Sequence, residues 1–208
     1  MSVKDIFQDV VTFNLTAVVE ETKKEIKAGT SVETILNDGL ISAMDEVGRL
    51  FSEGELFVPE MLRSAKTMKA SMEILKPYLA AGATTSRGTV VIGTVKGDMH
   101  DIGKNLVAMM LEGGGFTVID LGVDVETEKF ITAAKENGAN VVALSALLTT
   151  TMPAMEAAIQ AIKQAGLSVG TMVGGAPVTQ KFAQKIGADG FSDNAPGAVE
   201  TARRLVAG

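Results

Sequence analysis

Cysteine is absent from this 208-residue chain, and histidine occurs once, at position 100. Without cysteine there are no disulfides and no iron–sulfur cluster, which suits a cytoplasmic protein. With one imidazole and no thiol, the chain cannot assemble a zinc cage from its own side chains. Long apolar runs are missing as well. The longest, Val141 to Leu148 with Ser145 inside it, falls far short of the roughly 20 residues that span a bilayer. Asp5 and Asp9 interrupt the N-terminus, so no secretory signal is expected there. Nor is there an excess of positive charge. Nineteen basic against 25 acidic residues give a net charge of −6, which argues against nucleic acid or an anionic membrane surface as partner. Aromatic residues make up only 4% of the chain, and its 11 methionines are read as adaptable core packing.

What is present falls into two halves with different periods. Residues 1–82 read as helix only. Val3, Ile6, Val10, Phe13 and Ala17 step by three and four, with Thr12 or Asn14 as possible division points. Gly29 closes this stretch, and Thr30 with Glu33 reads as a capping box for the next helix. There Leu36, Leu40, Ala43, Met44, Val47, Leu50 and Phe51 form one apolar face, which Gly54 ends. Pro59 suits the first turn of a further helix with the stripe Leu62, Ala65, Met68, Met72, Leu75 and Leu79, and Pro77 should kink or fray its end. The pattern predicts a four-helix bundle over 1–82.

Residues 83–88, within Ala-Gly-Ala-Thr-Thr-Ser-Arg-Gly at 81–88, lack an apolar period and read as a linker. From 89 to 208 strands alternate with helices. The strands are expected at 89–95, 116–121, 140–146, 169–173 and, weakly, 188–192. The helices are expected near 101–112, 126–137, 153–165, 178–186 and 196–206. Continuous apolar strands such as Val141-Val142-Ala143-Leu144 belong to a parallel sheet covered on both faces. Five such units in about 120 residues predict an α/β, flavodoxin-like (Rossmann-like) doubly wound sheet of five parallel strands, not a barrel of eight.

The chemistry gathers at strand ends. His100 sits in Gly97-Asp98-Met99-His100-Asp101-Ile102-Gly103, directly after the first strand. A carboxylate two residues earlier can take the proton of one ring nitrogen and leave the other free to ligate a metal. A metal held by this single imidazole must bring its remaining ligands with it, as cobalt does inside a corrin ring. Ser145-Ala146-Leu147 ends the third strand and Gly174-Gly175 the fourth. In the flavodoxin-like order these strands are neighbours, so the three motifs line one crevice at the switch point where such folds bind ligands. Each piece alone has an ordinary explanation. Paired glycines are often a turn, a serine is often a satisfied core hydroxyl, and Asp101 reads as a helix cap. Their order and placement together point to a binding site.

Asp98-x-His100-x-x-Gly103, then 41 residues, Ser145-x-Leu147, then 26 residues and Gly174-Gly175, is similar to the cobalamin-binding fingerprint. The helical half resembles the cap that precedes this module in methionine synthase and in the corrinoid proteins of methylamine, methanol and methoxy-compound methyltransferase systems. The resemblance covers nearly the whole chain. It implies a cobalamin or related corrinoid, carried as methylcobalamin when loaded, with His100 as the lower ligand to cobalt. Asp98 and Thr151 complete the reacting set; Thr151 keeps the hydroxyl of a family serine. Gly97, Asp98, Met99, His100 and Asp101 are expected against the corrinoid. Gly103, Ser145, Leu147, Gly174 and Gly175 are expected to border the groove for its nucleotide tail, and Thr149 and Ala195 match further family positions that touch the cofactor. In the cap, Phe51 and Val58 match residues that cover the methyl face, Val58 being smaller than the leucine of methionine synthase. Asn37 stands where that enzyme has a glutamate.

The resemblance therefore implies a non-autonomous methyl carrier. Its partners are a substrate-specific TIM-barrel methyltransferase for a methylated amine, betaine, methanol or methoxy donor, a second methyltransferase acting on coenzyme M or tetrahydrofolate, and a reductive activator. The alternatives are the cobalamin module of a methionine-synthase-type enzyme, a cobalamin-based sensor and a radical mutase module. A receiver domain shares the sheet topology but needs an acceptor aspartate where this chain has Ser145.

Overall fold

The computed structural model describes residues 2–79 and 86–208. Residues 80–85, which include half of the expected linker and the expected domain boundary at 82, lie outside the described residues. The chain divides into two compact units. One comprises Met1–Thr85 with Gly113–Gly115, the other Ser86–Glu112 with Phe116–Gly208.

The first unit is helical. Helix α1 (Val3–Val11) starts on a capping box in which Ser2 caps the Lys4 amide and the Asp5 carboxylate accepts from the Ser2 amide. Its Ile6 and Val10 are buried. The stripe does not continue unbroken into Ala17. Phe13 turns the chain with φ +63°, and the Asn14 side chain caps α2 (Leu15–Lys27) on the Ala17 amide. The inward face of α2 is therefore Val18, Glu21 and Thr22.

The expected Thr30–Glu33 capping box does not form. The Thr30 hydroxyl points back to the Glu25 carboxylate at 2.6 Å, and Ser31 caps the Thr34 amide instead. From there the chain runs through the short turn α3 (Val32–Thr34), a π-helical segment (Ile35–Ile41) and α4 (Ser42–Ser52). The π turn inserts one residue per turn, so its inward face takes in Ile35 and Ile41 beside the expected Leu36 and Leu40. Gly39 allows this: a Cβ there would lie 3.2 Å from the Ile6 and Val3 side chains of α1.

Helix α5 (Val58–Leu79) continues through Pro77 to Leu79 instead of fraying at the proline. Met61, Ala65, Met68 and Leu75 are buried as part of its core face, whereas Leu62 and Met72 are only partly covered. Ser64, Thr67 and Ser71 take the remaining inward positions, which a count of apolar residues misses. The Ser71 hydroxyl meets that of Thr22 at 2.6 Å, tying α5 to α2.

The second unit alternates β1 (Thr89–Thr94), α6 (Ile102–Gly113), β2 (Thr117–Asp120), α7 (Thr127–Glu136), β3 (Val141–Ser145), α8 (Met152–Gln164), β4 (Gly170–Gly174), α9 (Gln180–Ile186), β5 (Gly190–Ser192) and α10 (Ala195–Ala207). All neighbouring strands pair in parallel, in the order β2-β1-β3-β4-β5. The doubly wound sheet with its reversal between β1 and β3 is thus present as expected. β1, β3 and β4 sit inside the sheet, and each of their residues is buried or partly buried. Phe130, Met155, Ile159 and Ile162 from α7 and α8 pack into one core with Val91, Val142 and Val173. Gly93 makes room for that packing, since a Cβ there would sit 2.9 Å from the Phe130 ring.

One consequence of the register bears on function. Thr94, Ser145, Gly174 and Ser192 are successive Cα partners across β1, β3, β4 and β5. The carboxyl ends of four strands therefore finish on a single row, and the loops that follow them leave from the same edge.

Candidate functional site

The loop after β1 is set by its backbone before any side chain acts. The Val95 amide donates to the Ser145 carbonyl, the Asp98 amide to the Val95 carbonyl, and the Thr94 hydroxyl to the His100 carbonyl at 2.8 Å. Gly97 supplies the left-handed turn, with φ +81°. These bonds place Asp98 beneath His100 and beside the start of the loop after β3.

Asp98 is fully buried and is the hub of the site. Its Oδ1 accepts from the His100 amide at 3.1 Å and lies 2.7 Å from His100 Nδ1. Its Oδ2 accepts from the Leu147 amide at 2.8 Å and the Leu148 amide at 3.3 Å. The Thr151 hydroxyl is 2.7 Å from Oδ2 and 2.8 Å from the Leu148 carbonyl, so both compete for its one proton. Burial pushes the Asp98 carboxyl up. The hydrogen bonds from Thr151, the Leu147 amide and His100 outweigh it and hold the group well below the usual carboxylate range.

An ionised carboxylate only accepts hydrogen bonds, so Nδ1 of His100 must carry the proton. Nε2 is then left with its lone pair, and it has no partner among the described residues. The imidazole is half exposed while its carboxylate is fully buried. One face of the ring is thus anchored and the other offered to a ligand.

Large apolar side chains are exposed on the loops that carry and anchor His100. Met99 is 68% exposed and Ile102 84%, and Leu147 and Leu148 are also exposed. Four large apolar side chains facing outward beside one imidazole suit a large ligand with an apolar face. Gly103 lies in the first turn of α6, and a Cβ there would meet nothing within 4 Å. The Ser145 hydroxyl, partly buried at the end of β3, has no partner among the described residues. These are the features a corrinoid with an extended tail requires: a free ring nitrogen, an apolar floor, an open glycine face and a donor without a partner. The residues present fit the group.

Gly174 and Gly175 serve close backbone approach. A Cβ on Gly174 would lie 3.1 Å from the Ser192 carbonyl. On Gly175, with φ +128°, it would fall 1.9 Å from the Ala146 carbonyl. Gly175→Ala is accordingly expected to cost about 3–5 kcal/mol, from the forbidden backbone region and the collision together. Denaturant unfolding of the apoprotein checks this, and a loss below about 1 kcal/mol would mean that the two loops part easily.

The other expected site residues fall in different places. Thr149 is exposed in the loop after β3. Ala195 is buried at the start of α10, which Asn194 caps on the Gly197 amide at 2.7 Å. Asp101 precedes α6, but its carboxylate accepts from the Asn105 side chain at 3.1 Å. Phe51 lies in the last turn of α4, partly buried, and Val58 begins α5, exposed, both within the first unit. Asn37 lies exposed on the π segment, where its carbonyl accepts from the Ser42 hydroxyl at 2.8 Å.

Two residues near His100 carry no signal in the sequence pattern. Lys104 is almost wholly buried, with Nζ 2.5 Å from Asp120 and 2.7 Å from the Asn105 side chain. Lysine on a helix is ordinarily read as solvent-facing, so only its place one residue after Gly103 hinted otherwise. Asp124 accepts from the Gly97 amide at 2.7 Å from a loop 27 residues away in sequence.

Residues 88–202 match a family described as B12 binding domain, and residues 3–76 match a second family with the same description. The chain is 42% identical to dimethylamine corrinoid protein 1 of Methanosarcina acetivorans, over all of both chains. It is also 42% identical to trimethylamine corrinoid protein 1 of the same organism, covering 96% of this chain and 94% of that one. Its fold matches the methanol:cobalamin methyltransferase complex MtaBC from Methanosarcina barkeri with a TM-score of 0.88 and 31% identity, over 99% of this chain and 80% of that chain. An imidazole fixed on a buried carboxylate, a sheet edge lined with glycine and serine, and family matches in both halves lead to one conclusion: the chain belongs to the B12-binding corrinoid proteins.

Proposed function

We propose that this corrinoid protein is a methyl carrier, working between two separate methyltransferases and holding its cofactor through His100. The observation that carries the reading is the Asp98–His100 pair, 2.7 Å apart, with Nδ1 protonated and Nε2 free. When bound, the corrinoid supplies a cobalt that accepts and gives up the methyl group. The chain's own residues do the rest. His100 Nε2 would be the atom that holds the cobalt. Asp98 holds the Nδ1 proton and aims the ring, and Thr151 with the Leu147 amide keeps Asp98 ionised. Ser145, Gly103, Gly174 and Gly175 border the groove for the nucleotide tail. Met99 and Leu147 are exposed and offer apolar surface that the bound group would cover.

The relatives named for dimethylamine and trimethylamine favour a methylated amine as donor. The methanol:cobalamin methyltransferase complex supports a methyltransferase as a docking partner. A second methyltransferase acting on coenzyme M or tetrahydrofolate and a reductive activator complete the set, in the cytoplasm. No second histidine and no cysteine exists in the chain to bind zinc and activate a thiol.

The test is reconstitution. Corrinoid-loaded protein is offered dimethylamine, trimethylamine, monomethylamine or methanol, with and without candidate methyltransferases. Methyl loading is expected with one donor class, and only when its methyltransferase is present. Rapid multiple turnover by the 208-residue chain alone would overturn the carrier reading.

Gly103 separates the roles of fold and ligand. Because its open side meets nothing, Gly103→Ala is expected to leave the apoprotein unharmed or to stabilise it by up to about 1 kcal/mol. Corrinoid affinity should nevertheless fall about tenfold, equivalent to about 1.4 kcal/mol, because the methyl group fills space the ligand uses. Equal affinity in titrations of both proteins would remove Gly103 from the site.

A further inference from the structure

Resting on His100 as the cobalt ligand, we propose that Asp124 is a positioning residue for that ligand, bracing the backbone of the His100 loop from the connection between β2 and α7. Asp98 is held from the β3 side through its carboxylate. Its backbone is held from the opposite side by Asp124. The Asp124 carboxylate accepts from the Gly97 amide at 2.7 Å, and its own amide donates to the Asp98 carbonyl at 3.0 Å. The peptide that carries Asp98 is therefore clamped at both ends by one residue.

Two facts argue that this clamp is built for the purpose. Asp124 takes φ +50°, a left-handed conformation that is disfavoured for a non-glycine residue. An aspartate usually offsets that cost with a local bond, but here its carboxylate reaches across to Gly97. Gly97 is left-handed as well and carries no side chain to limit its motion, so the hydrogen bond from its amide to Asp124 adds to the Asp98–Val95 bond in restricting the turn.

The connection itself is rigid. The Thr94 amide donates to the Gly122 carbonyl, the Val125 amide to the Thr94 carbonyl, and Val95 bridges Val125. At its other end Asp120 accepts from the Gly122 amide at 2.9 Å and from the buried Lys104. Lys104 lies on α6, the helix that His100 leads into. A closed ring thus runs from α6 through Asp120, Gly122 and Asp124 to Gly97, Asp98 and His100.

Three variants test the role, and Asp124 is exposed, so each should fold. Asp124→Ala removes the acceptor and keeps the backbone penalty. Asp124→Gly removes the acceptor and relieves the penalty. Asp124→Asn retains an acceptor and tolerates the left-handed turn. The readouts are the fraction of Co(II) protein with hyperfine coupling to a protein nitrogen, the rate of corrinoid release, and hydrogen exchange of the Gly97 amide in the apoprotein. With Ala and Gly the coupled fraction should fall and release and exchange should quicken, each about tenfold, the scale of a lost supporting partner. Asn should stay near wild type. Unchanged coupling and release in Asp124→Ala would overturn the proposal, as would full rescue by Asp124→Gly, which would reduce the effect to backbone strain. Absence of nitrogen coupling in the wild-type protein would instead overturn the assignment of His100, a distinguishable failure.

Discussion

His100→Ala is expected to abolish hyperfine coupling between cobalt and a protein nitrogen and to weaken corrinoid retention on the order of a hundredfold. Loss of a supporting partner at a metal site costs tenfold to hundredfold, and a ligand itself is worth at least as much. The fold should tolerate the change. His100 is half exposed, its amide and carbonyl bonds to Asp98 and Thr94 belong to the backbone, and no packed core depends on its ring. The apoprotein should therefore unfold at nearly the wild-type denaturant concentration. Free imidazole can enter the vacated space beside Asp98, so added imidazole should restore a nitrogen signal in part. If the variant keeps its nitrogen coupling and its corrinoid, another group holds the cobalt and the assignment of His100 is wrong.

The second half of the chain was far more legible in the sequence than the first. Continuous apolar strands and amphipathic helices occur at regular intervals there, and glycines punctuate them. The observed strands fall within a residue or two of the expected ones, and the reversal of order that gathers His100, Ser145 and Gly174 follows from the βα alternation. The helical unit was harder to read because its deviations are local and polar. The π segment at Ile35–Ile41 shifts the inward face without changing composition. Ser31 displaced Thr30 as cap because the Thr30 hydroxyl was already taken by Glu25. Ser64, Thr67 and Ser71 are buried through hydroxyls small enough to pack, so a hydrophobic period passes over them. At the site, the candidate residues Asp98, His100, Ser145 and Gly174 stood out by type and spacing. Lys104 and Asp124 did not, since their importance lies in partners 16 and 27 residues away. Only the sheet brings those partners together.

Asp98→Asn is expected to separate the fold from the chemistry, because an amide can satisfy only one side of what Asp98 serves. Asp98 presents two acceptors: one to the His100 amide and Nδ1, the other to the Leu147 and Leu148 amides and Thr151. Asparagine has one acceptor and one donor group. The side with the greater number of donors claims the oxygen, so the NH₂ turns toward His100. Nδ1 must then accept, which moves the imidazole proton to Nε2, the atom that should bind cobalt. An analogous exchange of aspartate for asparagine leaves a serine protease triad intact in geometry but in the wrong tautomer. The asparagine protein should therefore fold, yet lose protein-nitrogen coupling and bind corrinoid on the order of 10- to 100-fold more weakly. Its acid behaviour should differ as well. The folded protein holds the Asp98 carboxyl below its ordinary value, near 3.9 when unfolded. Its contribution to stability is present in full above about pH 5 and is lost as pH falls through that value toward the folded one. The stability gap between wild type and Asp98→Asn should be widest at neutral pH and narrow as acid is added. Denaturant titrations of both apoproteins between about pH 7 and 3 measure the gap. A gap that stays constant over that range would mean that Asp98 is not held ionised by its partners, and the tautomer argument for His100 would fall with it.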